Sequence, residues 1–163
     1  MTPAATSSSR REPRRWDPAA VEVLLCDADG NLFPSEEPAF VASAHVTNRC
    51  LAMLGIVRRY EPEELRFAAT GQNFRTTIVG LAEAAGVEDA VTADALERWV
   101  AEEKSAVSTY LAETLTPAPD VLEPLTRLAR RYGLAAVSSS ALARLEACFT
   151  ATGLAALFPP HRR

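Results

Sequence analysis

The sequence predicts an α/β fold in which a small parallel sheet is interrupted by a long helical insertion. Three observations predict it. Two short apolar runs, Val21-Glu22-Val23-Leu24-Leu25-Cys26 and Leu134-Ala135-Ala136-Val137, end in small polar residues, as strands do when they reach a sheet edge. Between them the apolar residues recur only at helical spacing. The resulting order is strand, helical insertion, helix, strand, helix, which asks for parallel strands linked by crossovers.

Taken in order, residues 1–19 form a tail rich in Ser, Ala, Pro and Arg, without hydrophobic periodicity, and read as disordered. Arg10-Arg11 and Arg14-Arg15 resemble a twin-arginine export signal. Only the short run at Val21 follows, with no cleavage site, so export is rejected in favour of a solvated basic tail.

The first run, rich in Val and Leu and closed by glycine, reads as a buried strand. It ends in Asp27-Ala28-Asp29-Gly30, so two carboxylates reach the edge where open parallel sheets place their ligands. Carboxylates crowded together repel unless a cation sits between them. A solvated turn is the plainer alternative, since Asp and Gly are turn formers. An EF-hand loop fails on spacing and on its preceding strand. Metal-assisted chemistry at the strand end is preferred.

Ser35 with Glu36 and Glu37 marks a helix start, and Phe40, Ala44, Leu51 and Leu54 carry the helix to Gly55. A short helix fits Pro62 to Ala69, closed by Gly71. Phe74, Ile78, Leu81, Ala82 and Ala85 make a third stripe, ending at Gly86. Leu96, Trp99, Val100, Val107, Tyr110 and Leu111 make the fourth and longest, capped by Thr92. Residues 36–114 are thus helical only, and Thr116-Pro117-Ala118-Pro119 closes the insertion. Asp120 with Glu123 suggests the start of a fifth helix, ended by Gly133. The second strand runs into Ser138-Ser139-Ser140, and a last helix fits Ala141 to Thr152. The α/β part therefore comprises residues 20–35 and 115–163.

Composition narrows the function. With 163 residues and 48% apolar content the chain can bury a real core, and no apolar run approaches a membrane span. A net charge of −4 gives no general affinity for nucleic acid. Three cysteines, Cys26, Cys50 and Cys148, lie in apolar segments and read as reduced thiols in a cytoplasmic protein. His45 and His161 are isolated, no zinc spacing occurs, and no glycine-rich dinucleotide loop follows either strand.

Asp27-Ala28-Asp29-Gly30-Asn31-Leu32 followed by Ser35-Glu36, and Val137-Ser138-Ser139-Ser140 before Ala141-Leu142-Ala143-Arg144-Leu145, resemble the two leading motifs of the haloacid dehalogenase superfamily. More narrowly, the chain resembles its β-phosphoglucomutase-like branch, in which a helical cap follows the first motif. The resemblance covers nearly all of the chain after the tail. It implies a partial Rossmann-like core at 20–35 and 115–163 with a cap at 36–114. It also implies Asp27 as the nucleophile forming an aspartyl phosphate, and Asp29 as the acid and base. Magnesium would lie between the Asp27 carboxylate and the Asp29 backbone carbonyl, and Ser138, with Ser139 beside it, would bind the phosphoryl oxygens. Asp29 favours phosphoryl transfer over dehalogenation, and Asn31 departs from the usual threonine or valine. The cap would close over a small phosphorylated metabolite and select it, with Asn73 and Arg75 in its most polar turn as candidates. An ordinary helix start is the competing reading of those two residues.

The resemblance also implies a later lysine and a later pair of acids. After Ser138 the sequence offers Glu146 as its acid and Arg144, Arg162 and Arg163 as its bases, while Lys104 lies in the insertion. The sequence thus reads as a member truncated after the second motif, weakly stable alone, with one edge of its first strand bare. One preorganised electrostatic partner is worth about 3 kcal/mol at the transition state, so losing both motifs would slow turnover by a factor of roughly 10⁴ or more. The expected activity is a magnesium-dependent phosphohydrolase, impaired in this form. The alternatives are a non-catalytic interaction module and a sugar-phosphate mutase.

Overall fold

A computed structural model describes residues 17–163. The basic tail lies outside the described residues, apart from its last three positions. The elements are β1 (Val23–Asp27), α1 (Glu36–Met53), α2 (Pro62–Ala68), α3 (Phe74–Ala84), α4 (Ala93–Thr114), α5 (Pro119–Leu128), β2 (Gly133–Val137) and α6 (Leu142–Ala151), with short 3-10 turns before, between and after them. The architecture is α/β, with a parallel two-stranded sheet and mostly helical surroundings.

The strands pair in parallel from Val23 with Gly133 to Asp27 with Val137. This register sets the carboxyl ends of both strands side by side. The Ala28 N–H donates to the Val137 carbonyl at 3.1 Å and carries the pairing one residue further. Alternation then sorts the side chains. Leu24, Cys26, Leu134 and Ala136 face a core built with Phe33, Leu111, Leu125, Leu145, Phe149 and Phe158. Val23 and Leu25 face the other way and are 47% and 72% exposed, as is Val137 at 53%.

The expectation of a buried strand thus holds for one face of β1 alone. Helices α5 and α6 contribute to one cluster on one face, while on the other the Arg162 side chain lies over Gly133 and Val23, Leu25 and Val137 stay exposed. Among the described residues β2 is the one strand that pairs with β1.

The long helices α1 and α4 join the insertion to the sheet. Ala39 and Ala42 at the start of α1 share the sheet-side core with Val107 and Leu111 near the end of α4. Val46 and Cys50 further along α1 meet Leu96 and Trp99 at the start of α4, together with Ile78 of α3. This pairing makes the two helices antiparallel. A third cluster, of Ala44, Leu51, Tyr60 and Leu65, seats α2. All three cysteines are unpaired. Burial pushes the Cys50 and Cys148 thiols up to about 11, with nearby charges as smaller influences.

Capping follows the sequence in part. The Thr92 hydroxyl accepts from the Ala95 N–H at 3.3 Å, as expected. The start expected at Asp120 falls earlier: α5 has Ala118 as its N-cap and Pro119 in its first turn, because the fixed φ of proline suits a position that needs no N–H. A capping box between Glu61 and Glu64 starts α2, which the sequence reading missed because serine and threonine are the usual first members.

Candidate active site

The site begins with the turn after β1. Ala28 is wholly buried. Gly30 takes φ +73°, a left-handed conformation that costs glycine nothing and most side chains a good deal. The turn closes on itself through Gly30 N–H to the Phe33 carbonyl at 3.0 Å and Leu32 N–H to the Ala28 carbonyl at 3.0 Å. Phe33, 2% exposed, anchors the turn in the core. Asp27 and Asp29 leave this rigid turn in different environments.

Asp27, the last residue of β1, is exposed, and its carboxylate makes no hydrogen bond or ion pair with the described residues. Asp29 is half-buried and held on both oxygens. The Ser35 hydroxyl donates to Oδ1 at 2.5 Å. The Ser138 and Ser140 hydroxyls donate to Oδ2 at 2.8 and 2.9 Å. The Arg144 guanidinium stands 3.8 Å from Oδ1. Burial pushes the Asp29 carboxyl up, but the three hydroxyls and the Arg144 charge together outweigh it and hold the group below its ordinary value of 3.8. Asp29 is thus a carboxylate with its charge already satisfied.

The depressed pKa makes a stability prediction. Because the folded value lies below the unfolded one, this carboxylate adds stability that is fully present above the unfolded pKa. That stability is lost as pH falls through the folded pKa. Acid unfolding followed by circular dichroism from about pH 5 to about pH 2 should fall more steeply in the native chain than in Asp29→Asn. Parallel acid curves would sink this account.

Each predicted residue has a definite place. Ser138 lies in the cluster, turned by the Ser140 N–H, which donates to its Oγ at 2.9 Å. Ser139 is exposed and makes no side-chain hydrogen bond among the described residues; its alternate neighbours, 138 and 140, reach Asp29 instead. Ser35 stands at the N-cap position of α1, yet its hydroxyl serves Asp29 and makes no cap bond. Asn73 caps α3, accepting from the Thr76 N–H at 3.0 Å. Arg75 pairs with Glu97 of α4 at 2.6 Å. Both thus spend their polar atoms within the helical insertion.

Ser140 and Arg144 were missed as members of the site. The serine triplet does not say which hydroxyls turn inward. Arg144 had a faint signal, a cation in the first turn of a helix, where the dipole disfavours it. Beneath it, burial raises the pKa of Glu103 on α4, while the Ser43 hydroxyl and the Arg144 charge pull it back. A surface groove lies elsewhere, between α1 and α4, and is lined by His45, Arg49, Glu102, Tyr110 and Glu113 among others.

No three His, Cys, Asp or Glu side chains among the described residues gather closely enough to hold a metal ion. Two hard oxygens nevertheless suit magnesium, which keeps several waters and takes one or two carboxylates. They are the uncommitted Asp27 carboxylate and the Asp29 carbonyl, to which no backbone N–H among the described residues donates. The Asp29 carboxylate is engaged by its hydroxyls and is not a free donor.

Solved structures share this arrangement of elements. The chain is similar to a conserved haloacid dehalogenase-like protein of unknown function from Agrobacterium tumefaciens, at TM-score 0.59 and 21% identity over 86% of this chain and 57% of that one. A predicted phosphoglycolate phosphatase from Haemophilus somnus gives TM-score 0.64 and 21% identity, over 85% and 60%. The fold is haloacid dehalogenase-like. CbbY from Rhodobacter sphaeroides, solved in complex with xylulose-(1,5)bisphosphate, matches at TM-score 0.58 and 19% identity, over 80% of this chain and 56% of that one. The chain therefore spans between 56% and 60% of the lengths of these solved chains. No family model matches the sequence, and no curated protein is significantly similar to it.

Proposed function

We propose that this chain carries the nucleophile and phosphate-binding part of a magnesium-dependent phosphohydrolase acting on a small phosphate monoester. The observation that carries the reading is the convergence of Asp27 at the end of β1 and Asp29 in the turn after it with Ser138 and Ser140 from beyond β2 at one sheet edge. In this reading Asp27 attacks phosphorus, its carboxylate oxygen forming a bond as the ester oxygen departs with the bonding pair. Water then attacks the aspartyl phosphate, releasing phosphate and restoring the carboxylate. Asp29, ionised as placed, suits the second half, where it takes the proton of the attacking water. Donating a proton to the first leaving group requires its protonated form, which the surrounding hydroxyls disfavour.

Magnesium would be held by the Asp27 carboxylate and the Asp29 carbonyl, and would relieve the repulsion between an anionic nucleophile and an anionic phosphate. Residues 36–114 serve as the cap in this reading. The unpaired cysteines support a cytoplasmic setting.

An aryl phosphate is the right first substrate, because its leaving group departs as a stable anion and needs no proton from Asp29. The expected result is slow release of the phenol that requires magnesium and stops with a chelator. A folded, purified chain that releases none at saturating magnesium overturns the catalytic reading. The exposed apolar face of Val23, Leu25 and Val137 favours a second reading, a non-catalytic interaction module, which that result would leave standing.

A further inference from the structure

Arg144 has no part in the reading above, yet it is the cation nearest Asp29. It sits in the first turn of α6, against the helix dipole. Its Nε is buried without a hydrogen-bond partner. The terminal nitrogen stands 3.8 Å from Asp29 Oδ1, beyond hydrogen-bond reach. The side chain as a whole remains 27% exposed. An orphaned buried donor needs an explanation, and the hydroxyl donors beside it supply one. Ser138 and Ser140 donate to one carboxylate oxygen, and Ser35 to the other. A carboxylate offers these groups two oxygens and one charge, whereas a phosphate offers more of both and can accept two bonds from one guanidinium.

We propose that Arg144 completes, with the serines already read as phosphate-binding, an anion cradle for a phosphoryl group, and that the Asp29 carboxylate fills it as an internal stand-in until phosphate arrives. Phosphate oxygens then take Arg144 and the two serines, and Asp29 keeps Ser35. Only the identity of the anion rests on the phosphohydrolase reading.

The test is binding of inorganic phosphate to the full chain, in chelator and at low ionic strength, by calorimetry or ³¹P line broadening. Arg144→Gln should weaken phosphate by roughly tenfold or more, the scale of a lost charge-assisted hydrogen bond. Arg144→Lys should recover part of it, since lysine keeps the charge and loses the fork. Asp29→Asn should bind phosphate more tightly than the native chain, because the internal competitor loses its charge. Added guanidinium should restore binding to Arg144→Ala, a rescue that a purely structural role would not give. Melting curves report whether each variant is folded; if Arg144→Gln is not, the lysine and Asp29→Asn variants decide.

Native phosphate affinity in a folded Arg144→Gln chain, no tightening in Asp29→Asn, or no phosphate binding by the native chain would each overturn the cradle. Aryl phosphate hydrolysis that is indifferent to Arg144 would overturn the cradle and leave the phosphohydrolase reading intact. Phosphate binding that depends on Arg144 without hydrolysis would do the reverse.

Discussion

Phe149→Ala should cost about 3–5 kcal/mol of folding stability, the range for removing a fully buried phenylalanine. Phe149 of α6 is wholly buried. Its ring stands edge-on to Phe33, with centroids 5.3 Å apart and planes at 88°, and lies 5.2 Å from Phe158. The Arg163 guanidinium covers it at 5.2 Å. Few places in the chain offer so concentrated a set of contacts, and the sheet cannot compensate, because one of its faces is open to water. Domains of this size are stable by only about 5–15 kcal/mol, so this one change removes a large share. The loss should reach the site as well. Phe33 closes the turn that carries Asp29, so the cavity left by Phe149 loosens the anchor beneath the carboxylate. Urea titration followed by tryptophan fluorescence and circular dichroism would measure the effect. A midpoint shift equivalent to less than about 1 kcal/mol would mean that the aromatic cluster does not hold the α/β part together.

The parts of the molecule that follow from period and punctuation were legible in the sequence. Apolar stripes closed by Gly55, Gly71 and Gly86 gave the helices, and the two runs meeting Asp27 and Ser138 gave the strands. Each of those signals is local, and each survived folding. What the sequence concealed depends on how distant segments face one another. The Val-Leu content of β1 says that the strand can be buried, but burial of Leu25 requires a layer on that side, and the described residues place none there. Likewise Ser35 has every feature of a helix cap. Its hydroxyl donates to Asp29, where a charged acceptor makes the stronger bond, and accepts from no N–H of α1; the turn at Gly30 brings that carboxylate within reach. Asn73 shows the opposite outcome, a polar residue in a suggestive turn whose oxygen closes the helix it begins. Arg144 lay in plain view, but its partner is more than a hundred positions away, so only the parallel register of the strands makes the pair. The candidate site was thus legible as a location, while its wiring came from tertiary structure.

Asp27→Asn should reduce hydrolysis of an aryl phosphate by a factor of about 10³ or more while leaving the fold as it was. The amide matches the carboxylate in size but has no lone pair comparably able to attack phosphorus and no charge to help hold a cation. The stability half of the prediction follows from the side chain's surroundings. The Asp27 carboxylate is exposed and bonded to none of the described residues, so its replacement should shift stability by no more than about 0.5 kcal/mol. Asp29→Asn is the necessary contrast. It removes a charge that three hydroxyls and a guanidinium surround, so it should change both hydrolysis and acid stability. The two aspartates, one residue apart in sequence, should therefore separate cleanly when rate and melting temperature are measured on the same preparations. This comparison also guards against a contaminating phosphatase, whose activity would survive both substitutions unchanged. Hydrolysis retained in Asp27→Asn would remove that residue from the chemistry. The exposed strand end would then be an accident of an open sheet edge, not a nucleophile awaiting its substrate.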